Sequence, residues 1–303
     1  MTLSPTVRRR AMFAFICFVW GTTWLAMKVG IQTVPPGVFA GLRWTTAGLI
    51  LMLWLRWRGE RILPPPRLMG RVVLVSVLLV TLNQVIQLYG LLYITAGLGA
   101  VISSGLTPIF LLLFAIGLGQ ERLSWRQVGA IALGVSGVLM LFGPDTMAGT
   151  LDHWEALGAL GVVIGCLCYS LGSVLTRPMM RTLAPMQLAA LTDTIGGGIL
   201  LVASVPLEPG GWAALGFHWG WPAFLAWIYL VIPAALVATT MYFLLVRDWG
   251  ASRPGTYAFI SPVIAVIIGS TLFEEKLDWG HGLGMTLMLL GAGLALRPGR
   301  GQS

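Results

Sequence analysis

The feature that most constrains this chain is a series of ten long apolar stretches. Each is about 17 to 25 residues long, the length that an α-helix needs to cross the hydrocarbon core of a bilayer. Apolar residues make up 57% of the 303 residues and charged residues only 10%, so the chain lacks the polar residues that a water-soluble surface requires. The stretches fall near residues 11–32, 38–55, 72–93, 95–119, 125–142, 155–176, 185–205, 222–246, 251–273 and 279–296. We therefore predict a polytopic membrane protein.

The stretches are predicted to be helices. None alternates apolar and polar residues with a period of two, and a single membrane span must satisfy its own backbone hydrogen bonds. The patterns GVFAG at 37–41, GVVIG at 161–165 and GHGLG at 280–284 match GxxxG, which lets helices approach closely. The sequence thus predicts an all-α fold of ten transmembrane helices, with no room for a soluble catalytic domain.

The basic residues indicate an orientation. If the N-terminus is cytoplasmic, 16 of the 19 Lys and Arg residues fall in inner segments, beginning with Arg8, Arg9 and Arg10. Such asymmetry is the positive-inside pattern. We predict an integral protein of the bacterial inner membrane with both termini in the cytoplasm.

A pentapeptide pattern occurs twice, as ERLSW at 121–125 and as EKLDW at 275–279. Pro108 lies 13 residues before the first glutamate and Pro262 lies 13 residues before the second. A whole proline-containing helix is therefore duplicated, although a glutamate and a tryptophan at a helix exit could also serve only to end a span.

The early helices of the two copies correspond as well, because Pro36 and Pro185 match at an offset of 149 residues. This predicts a first five-helix repeat over residues 1–146 and a second over 147–303. Since five is odd, the second repeat must insert upside down. Inverted repeats are typical of secondary transporters, whose substrate site lies near the midplane between the repeats.

Four short motifs resemble those of the drug/metabolite transporter superfamily, and within it the ten-helix EamA type. They are WG at 20–21, LRW at 42–44, TPIF at 107–110 followed by Glu121, and SPVIA at 261–265 followed by Glu275. The resemblance covers residues 11–297 and implies an inner-membrane transporter of small metabolites. The aromatic residues resemble the amino-acid exporter branch. Arg43 corresponds to Thr192 in the other repeat, so any role of this arginine is not duplicated.

The first helix of each repeat offers candidate substrate contacts. Residues four apart share a helix face, and the candidates on such faces are Trp20, Trp24, Tyr169 and Ser173, followed at the two cavity mouths by Lys28 and Arg177. The aromatic rings could stack a side chain or attract an ammonium group. The two basic groups could draw substrate carboxylates or could merely reach the membrane interface.

Polar side chains deep in the third helix form a second candidate group, namely Asn83, Gln84, Gln87 and Tyr89. Amides at this depth are costly when they face lipid, so they line either a wet cavity or a contact between helices.

Two helices carry a central proline after polar residues. Each proline removes a backbone hydrogen bond and frees the carbonyl group four residues earlier, so Pro108 and Pro262 are predicted hinges unless the kinks serve packing alone. The neighbouring candidates are Ser104, Thr107, Tyr257 and Ser261, completed by Thr239, Thr240 and Tyr242 on the eighth helix.

Arg43 and Asp193 are the charged residues well inside spans, in equivalent helices of the two repeats. Charge in the bilayer centre costs about 2.5 to 3.5 kcal/mol on insertion scales, so they require a role, either structural or in transport. A proton-coupled transporter usually buries several acids, which favours facilitated export here.

We therefore predict a secondary transporter that exports aromatic and other neutral amino acids by alternating access. The alternative is an exporter of another small metabolite or of a cationic drug. An enzyme is not expected, because the three histidines, His153, His218 and His281, fall in loops or at helix ends and no HExxH or Gly-Lys pair occurs. No cofactor, metal site or nucleic-acid partner is predicted; the expected partners are the amino acid and membrane lipid, with the chain as a monomer.

Overall fold

The computed structural model describes residues 4–90, 92–94, 96–147, 152–261, 263–264 and 279–296. These residues are predominantly helical and contain no β-strand, so the predicted all-α class is confirmed. Four predicted features lie outside the described residues: Pro262, Glu275 and the side chains of Trp24 and Lys28.

The helices follow the predicted spans closely. They are α1 Pro5–Gly30, α2 Pro36–Trp57, α3 Pro66–Gly90, α4 Ala96–Gly117, α5 Trp125–Met147, α6 His153–Met179, α7 Pro185–Leu207 and α8 Trp221–Trp249, then α9 from Ser252–Gly255 through helical residues 257–261 and 263–264, and α10 Trp279–Leu296. A single helical turn, Gly211–Ala214, lies between α7 and α8.

Among the described residues, five helices are long and apolar enough to cross a membrane, namely α2, α3, α6, α7 and α8. Shorter apolar helices lie at Ile102–Gly117, Trp125–Met140 and Gly282–Ala295, within α4, α5 and α10. The protein is therefore polytopic, and the count of ten spans stays a prediction.

Proline and aspartate mark where several helices begin. Pro36, Pro66 and Pro185 occupy the first turns of α2, α3 and α7, where the missing N–H leaves no hydrogen bond unmade. Asp152 and Glu155 form a capping box at the start of α6, which satisfies two otherwise free N–H groups. The apolar run alone placed α3 at 72–93. The proline starts the helix earlier, and the helix ends at Gly90.

Two helices contain a π-helical segment near their middle: Val77–Leu82 in α3 and Leu230–Ala238 in α8. Pro233 lies inside the second segment, where it removes one backbone donor. The two helices hold equivalent places in the sequence repeat. A π-helical segment shifts the side chains that follow it relative to those before it, and such segments are frequent at functional sites.

Helices α2 and α7 pack against each other and run antiparallel. Gly37 lies against Ser204, Gly41 against Leu201 and Gly48 against Thr194, so the contacts ascend one helix as they descend the other. A Cβ atom at Gly41 would lie 2.8 Å from the backbone of Leu201. Glycine therefore permits this approach, and both glycines of the GVFAG pattern lie in the interface.

Helices α5 and α10 show the same relationship. Gly137 of α5 lies against Gly284 of α10, whereas Gly134 lies against Gly291. Both pairs join helices that the sequence repeat equates, and both are antiparallel. This geometry is what opposite insertion of the two repeats requires, and it supports the prediction of an inverted repeat.

The two predicted repeats interlock. Helix α6 packs on α3 and α4, and α1 packs on α8 and α9. Each repeat thus places its first helix among the helices of the other. As a result, side chains from both halves of the chain meet in the interior.

Candidate functional site

Four aromatic rings from four helices meet in the interior. We call Trp20, Tyr169, Tyr242 and Tyr257, from α1, α6, α8 and α9, the aromatic cluster. The ring centroid of Trp20 lies 4.5 Å from that of Tyr257 and 5.3 Å from that of Tyr242. Tyr242 in turn lies 6.1 Å from Tyr169 and 6.2 Å from Tyr257. These are the distances of favourable tilted and edge-to-face aromatic pairs.

The aromatic cluster is only partly satisfied by hydrogen bonds. Trp20 Nε1 donates to the carbonyl oxygen of Ala234 at 3.2 Å, inside the π-helical segment of α8. Ser173 Oγ and the hydroxyl of Tyr242 share a hydrogen bond of 2.6 Å. The hydroxyl of Tyr169 is buried near those of Tyr242 and Tyr257 but makes no hydrogen bond of standard geometry. A buried hydroxyl without a well-formed hydrogen bond costs free energy, and a polar ligand could supply a better one.

Burial differs among the four rings. Tyr242 is 1% exposed and holds the centre of the cluster. Trp20, Tyr169 and Tyr257 are half-buried, so each retains accessible ring surface. The cluster therefore combines a packed base with accessible aromatic faces.

Two predicted polar residues lie against α6 beside the aromatic cluster. Gln87 Nε2 contacts Cys166 Sγ at 3.8 Å, one turn before Tyr169. The carbonyl oxygen of Thr107 accepts from Ser170 Oγ at 3.4 Å, one residue after Tyr169. Helices α3 and α4 thus contact α6 beside the cluster, and their contribution to a substrate site stays a prediction.

The remaining predicted residues are distributed as follows. Ser261 Oγ donates to the carbonyl oxygen of Cys17 at 3.1 Å, one turn from Trp20. Thr240 donates to Leu236 within α8, and the buried hydroxyl of Thr239 has no partner. Ser104 is buried in α4 before Pro108, which lies inside that helix.

The side-chain amides of Asn83 and Gln84, in the middle of α3, are buried. Asn83 Nδ2 donates to the carbonyl oxygen of Leu79 at 3.2 Å, and its Oδ1 has no partner. Gln84 Oε1 accepts from Arg43 Nη2 at 3.3 Å. The Gln84 contact joins α3 to α2 and fits the alternative that the sequence left open, in which the amides join helices, whereas the Asn83 contact lies within α3.

Tyr89 does not join the aromatic cluster, contrary to its placement in the predicted lining. It is 43% exposed, and its hydroxyl donates to Glu208 Oε1 at 2.9 Å. The same carboxylate accepts the backbone N–H groups of Gly37 and Val38 at 2.8 and 3.0 Å. Glu208 thus caps the start of α2, where a negative charge complements the helix dipole.

A pocket of about 480 Å³ opens at one end of the bundle. This is the end at which α1 begins and α8 ends, because Arg9 and Asp248 form an ion pair of 2.9 Å there. We call it the pocket end. The lining side chains include Pro108, Gln120, Glu121, Arg122, Arg126, Gln127, Arg177, Trp249, Ser252, Arg253, Thr256 and Phe259.

The charge of the pocket is predominantly positive. Four arginines, Arg122, Arg126, Arg177 and Arg253, line it with one acid, Glu121. Opposite charges attract and low-dielectric walls focus the field. The pocket is therefore suited to receive an anionic group.

The glutamate of the first pentapeptide pattern ties three segments together. Glu121 Oε2 accepts from Gln127 Nε2 at 3.0 Å, and its Oε1 accepts from the Ser252 backbone N–H at 3.4 Å. Beside it, Arg177 Nη1 donates to the carbonyl oxygen of Gln120 at 3.1 Å. The carboxylate thus does more than end a span, since it joins α5 to the start of α9.

Sequence reasoning missed several of these residues. Arg122, Arg126 and Arg253 were interpreted only as orientation signals, because nothing in the linear sequence brings them together. Glu208 lies in a polar loop whose partner, the start of α2, is about 170 residues away in the chain. Nothing in the linear sequence indicated that the end of α7 lies against the start of α2.

Comparison with known proteins assigns the family. The sequence matches the model of the EamA-like transporter family twice, over residues 10–143 and 156–297. This chain belongs to the EamA-like transporter family. The double match agrees with the duplication predicted from the two pentapeptide patterns.

One relative of this EamA-like protein is named as an inner membrane transporter. The chain is 30% identical over 275 residues to the inner membrane transporter YedA of Escherichia coli K12, covering 89% of this chain and 85% of YedA. It is 25% identical over 283 residues to Protein PagO of Salmonella typhimurium LT2, covering 92% of this chain and 88% of PagO. A solved crystal structure matches 96% of each chain with a TM-score of 0.80 at 18% identity, which shows a shared fold.

These findings establish the general function. The EamA-like protein is an integral inner-membrane transporter and not an enzyme. The predicted family is confirmed.

Proposed function

We propose that this EamA-like transporter exports aromatic and other neutral amino acids by alternating access. The observation that carries the proposal is the aromatic cluster, in which the Tyr169 hydroxyl lies buried near those of Tyr242 and Tyr257 without a hydrogen bond of standard geometry. Accessible aromatic faces suit a planar or apolar side chain, and the clustered hydroxyls suit a carboxylate or an ammonium group. The cluster itself contains no fixed charge, which favours a zwitterion over a substrate with large net charge.

The arginine-lined pocket supports the same substrate class. A substrate that approaches from the pocket end meets Arg122, Arg126, Arg177 and Arg253 before it reaches the interior. These side chains attract a carboxylate. With the predicted orientation, the pocket end is cytoplasmic and the pocket is where an exported molecule enters.

The antiparallel pairing of repeat-equivalent helices supports alternating access. When two repeats of one fold are inserted in opposite directions, exchange of their conformations converts an opening on one side into an opening on the other. The aromatic cluster takes Trp20 from the first repeat and three tyrosines from the second. Relative motion of the repeats would thus open and close it.

The alternative is the export of another small metabolite or of a cationic drug. Aromatic faces also bind organic cations, so the aromatic cluster alone does not separate the two classes. The four arginines oppose the entry of a cation at the pocket end. Direct comparison of substrates is therefore the deciding test.

The test is counterflow in vesicles that contain the purified full chain. L-Tryptophan, L-phenylalanine, L-leucine, a dicarboxylate and a lipophilic quaternary ammonium ion serve as labelled probes. We expect saturable flux of the three neutral amino acids, reduced by Trp20→Ala and by Tyr169→Phe. The matched control is Tyr93→Phe, because Tyr93 is an exposed tyrosine outside the cluster. Saturable flux of the quaternary ion alone would exclude amino-acid export.

A further inference from the structure

Two buried residues of opposite charge lie on contacting helices without pairing. Arg43 of α2 is 5% exposed and Asp193 of α7 is 1% exposed. Neither joins an ion pair among the described residues. The hydrogen bonds that Arg43 and Asp193 do form are long, and each side chain has one polar atom without a hydrogen bond.

The guanidinium of Arg43 is held loosely. Its Nη2 donates to Gln84 Oε1 at 3.3 Å, it lies 4.4 Å from the ring centroid of Trp44, and its Nε has no partner. An arginine offers five N–H donors. Most of this capacity is therefore unused, and reorientation of the side chain breaks only one long hydrogen bond.

The carboxyl group of Asp193 is equally incomplete. Its Oδ1 accepts from Thr192 Oγ1 at 3.4 Å, and its Oδ2 has no partner. Arg43 acts on this carboxyl group from a distance, without forming an ion pair with it. A buried carboxylate without a directly paired counter-charge is unfavourable, and neutralisation by a proton removes most of that cost. The described conformation thus has a place for a proton on Oδ2.

The antiparallel register of α2 and α7 sets the offset, along the helix axis, between the backbones of Arg43 and Asp193. Because Gly48 lies against Thr194, Asp193 is level with the residue after Gly48. Arg43 is displaced from that level by roughly 9 Å at 1.5 Å per residue. The positive charge can therefore approach the carboxyl group only if its side chain turns or if the helices shift.

We propose that Asp193 is the proton-binding residue of the transport cycle and that Arg43 is the positioning residue that drives the proton off. In each cycle the Asp193 carboxylate takes one proton from one side of the membrane and forms an O–H bond. When Arg43 approaches, that bond breaks and the proton passes to water on the other side. The exported molecule moves in the opposite direction, and no other bond changes.

Other charged groups near α7 do not take this role. Helix α3 presents no titratable side chain to α7 between Ser76 and Thr81, the segment that contacts Gly196. Helix α8 carries Tyr242 in the aromatic cluster, and its Arg247 and Asp248 pair with each other at the pocket end. The turn Gly211–Ala214 contains no titratable residue.

The exposed arginines of α2 and α3 also have little electrostatic effect on Asp193. Arg56 and Arg58 of the α2 end and Arg67 and Arg71 of α3 are exposed to solvent, where water screens their charge. Among the charged side chains that the structure describes, Arg43 is therefore the one that acts on Asp193 from within the bundle.

The first test needs no transported substrate. We record infrared spectra of the full chain in lipid vesicles in acidic and in alkaline buffer and take their difference. The difference spectrum shows the carbonyl band of a protonated carboxyl group in an apolar site. We expect such a band in the wild type and its loss in Asp193→Asn. Asp152→Asn is the matched control, because Asp152 is exposed and caps α6. Survival of the band in Asp193→Asn would overturn the proposal.

The second test measures coupling. Vesicles loaded with labelled L-phenylalanine are diluted into buffer of the same or of lower pH. We expect faster efflux of label into the acidic buffer for the wild type and for Asp152→Asn. In Asp193→Asn and in Arg43→Gln we expect loss of this stimulation. A wild type that ignores the pH difference, or an Asp193→Asn variant that still responds to it, would overturn the proposal.

Two further outcomes are distinguishable. The proposal rests on the proposed amino-acid export only because phenylalanine is the probe. If the wild type shows no phenylalanine flux but its infrared band is lost in Asp193→Asn, phenylalanine is not a substrate and the proton site is supported. Asp193→Glu keeps a carboxyl group and serves if the asparagine variant does not fold. Its infrared band is expected to persist, and disappearance of the band would count against the site.

Discussion

The hydroxyl of Tyr89 donates to the carboxylate of Glu208 at 2.9 Å, across 119 residues of chain. The same carboxylate accepts two backbone N–H groups at the start of α2. One buried side chain therefore joins the ends of α2, α3 and α7 at the end of the bundle opposite the pocket. This contact identifies Glu208 as a structural element of the fold.

Glu208→Gln should lower the stability of the protein. The amide loses the negative charge that complements the dipole of α2 and can accept fewer hydrogen bonds. We expect a loss of about 1 kcal/mol in the free energy of unfolding, as for other helix caps. Thermal unfolding in detergent measures it, and Glu60→Gln is the control because its ion pair with Arg58 is on the surface. Equal stability of both variants would contradict the assigned role.

Gly48→Ala should disrupt the contact between α2 and α7. A Cβ atom at Gly48 would lie 2.4 Å from the backbone nitrogen of Thr194, so the helices must separate. We expect a destabilisation of about 1 to 3 kcal/mol, typical of overpacking. Gly70→Ala is the matched control, because a Cβ atom at Gly70 in α3 meets no atom within 4 Å. Its melting temperature should equal or exceed that of the wild type, since alanine favours helix.

The helix bounds were largely predictable from sequence because the apolar runs have the length of a span and because caps mark their ends. Helix α7 was predicted at 185–205 and extends over Pro185–Leu207, and Pro185 fixes its start. The contact between the equivalent helices α2 and α7 was not predicted, because the repeat indicates their relative orientation but not their proximity. The π-helical segment Val77–Leu82 was not predictable, since it depends on tertiary packing and its sequence lacks proline.

The site was predictable in part. Residues on the faces of α1 and α6 were identified because one helical period aligns them, and the structure brings Trp20 and Tyr169 into one cluster. Tyr89 was misplaced because its position past Gln87 suggested the same lining. Of the four arginines in the pocket, only Arg177 was predicted at a cavity mouth. The other three were missed because the four come from separate segments, and a linear pattern does not encode such convergence.

Arg177→Gln should weaken the uptake of carboxylate substrates into the pocket without impairing later steps. Removal of one of four positive charges lowers the local concentration of anions. We expect KM to rise about 3- to 10-fold with kcat nearly unchanged. Initial rates over a range of labelled phenylalanine concentrations measure both. Arg181→Gln is the control, because Arg181 is exposed and lies outside the pocket lining; an equal rise in KM there would indicate a general surface effect.

The predicted orientation can be tested by cysteine labelling in cells. Cys168→Ser removes the least buried of the three native thiols and provides the background. Leu118, between α4 and α5 at the pocket end, and Trp212, in the turn between α7 and α8 at the other end, are both exposed. If the basic residues set the orientation, a membrane-impermeant maleimide should label Trp212→Cys in intact spheroplasts and Leu118→Cys only after permeabilisation. The opposite pattern would place the arginine pocket outside the cell, and the pocket could then not be the entrance for export.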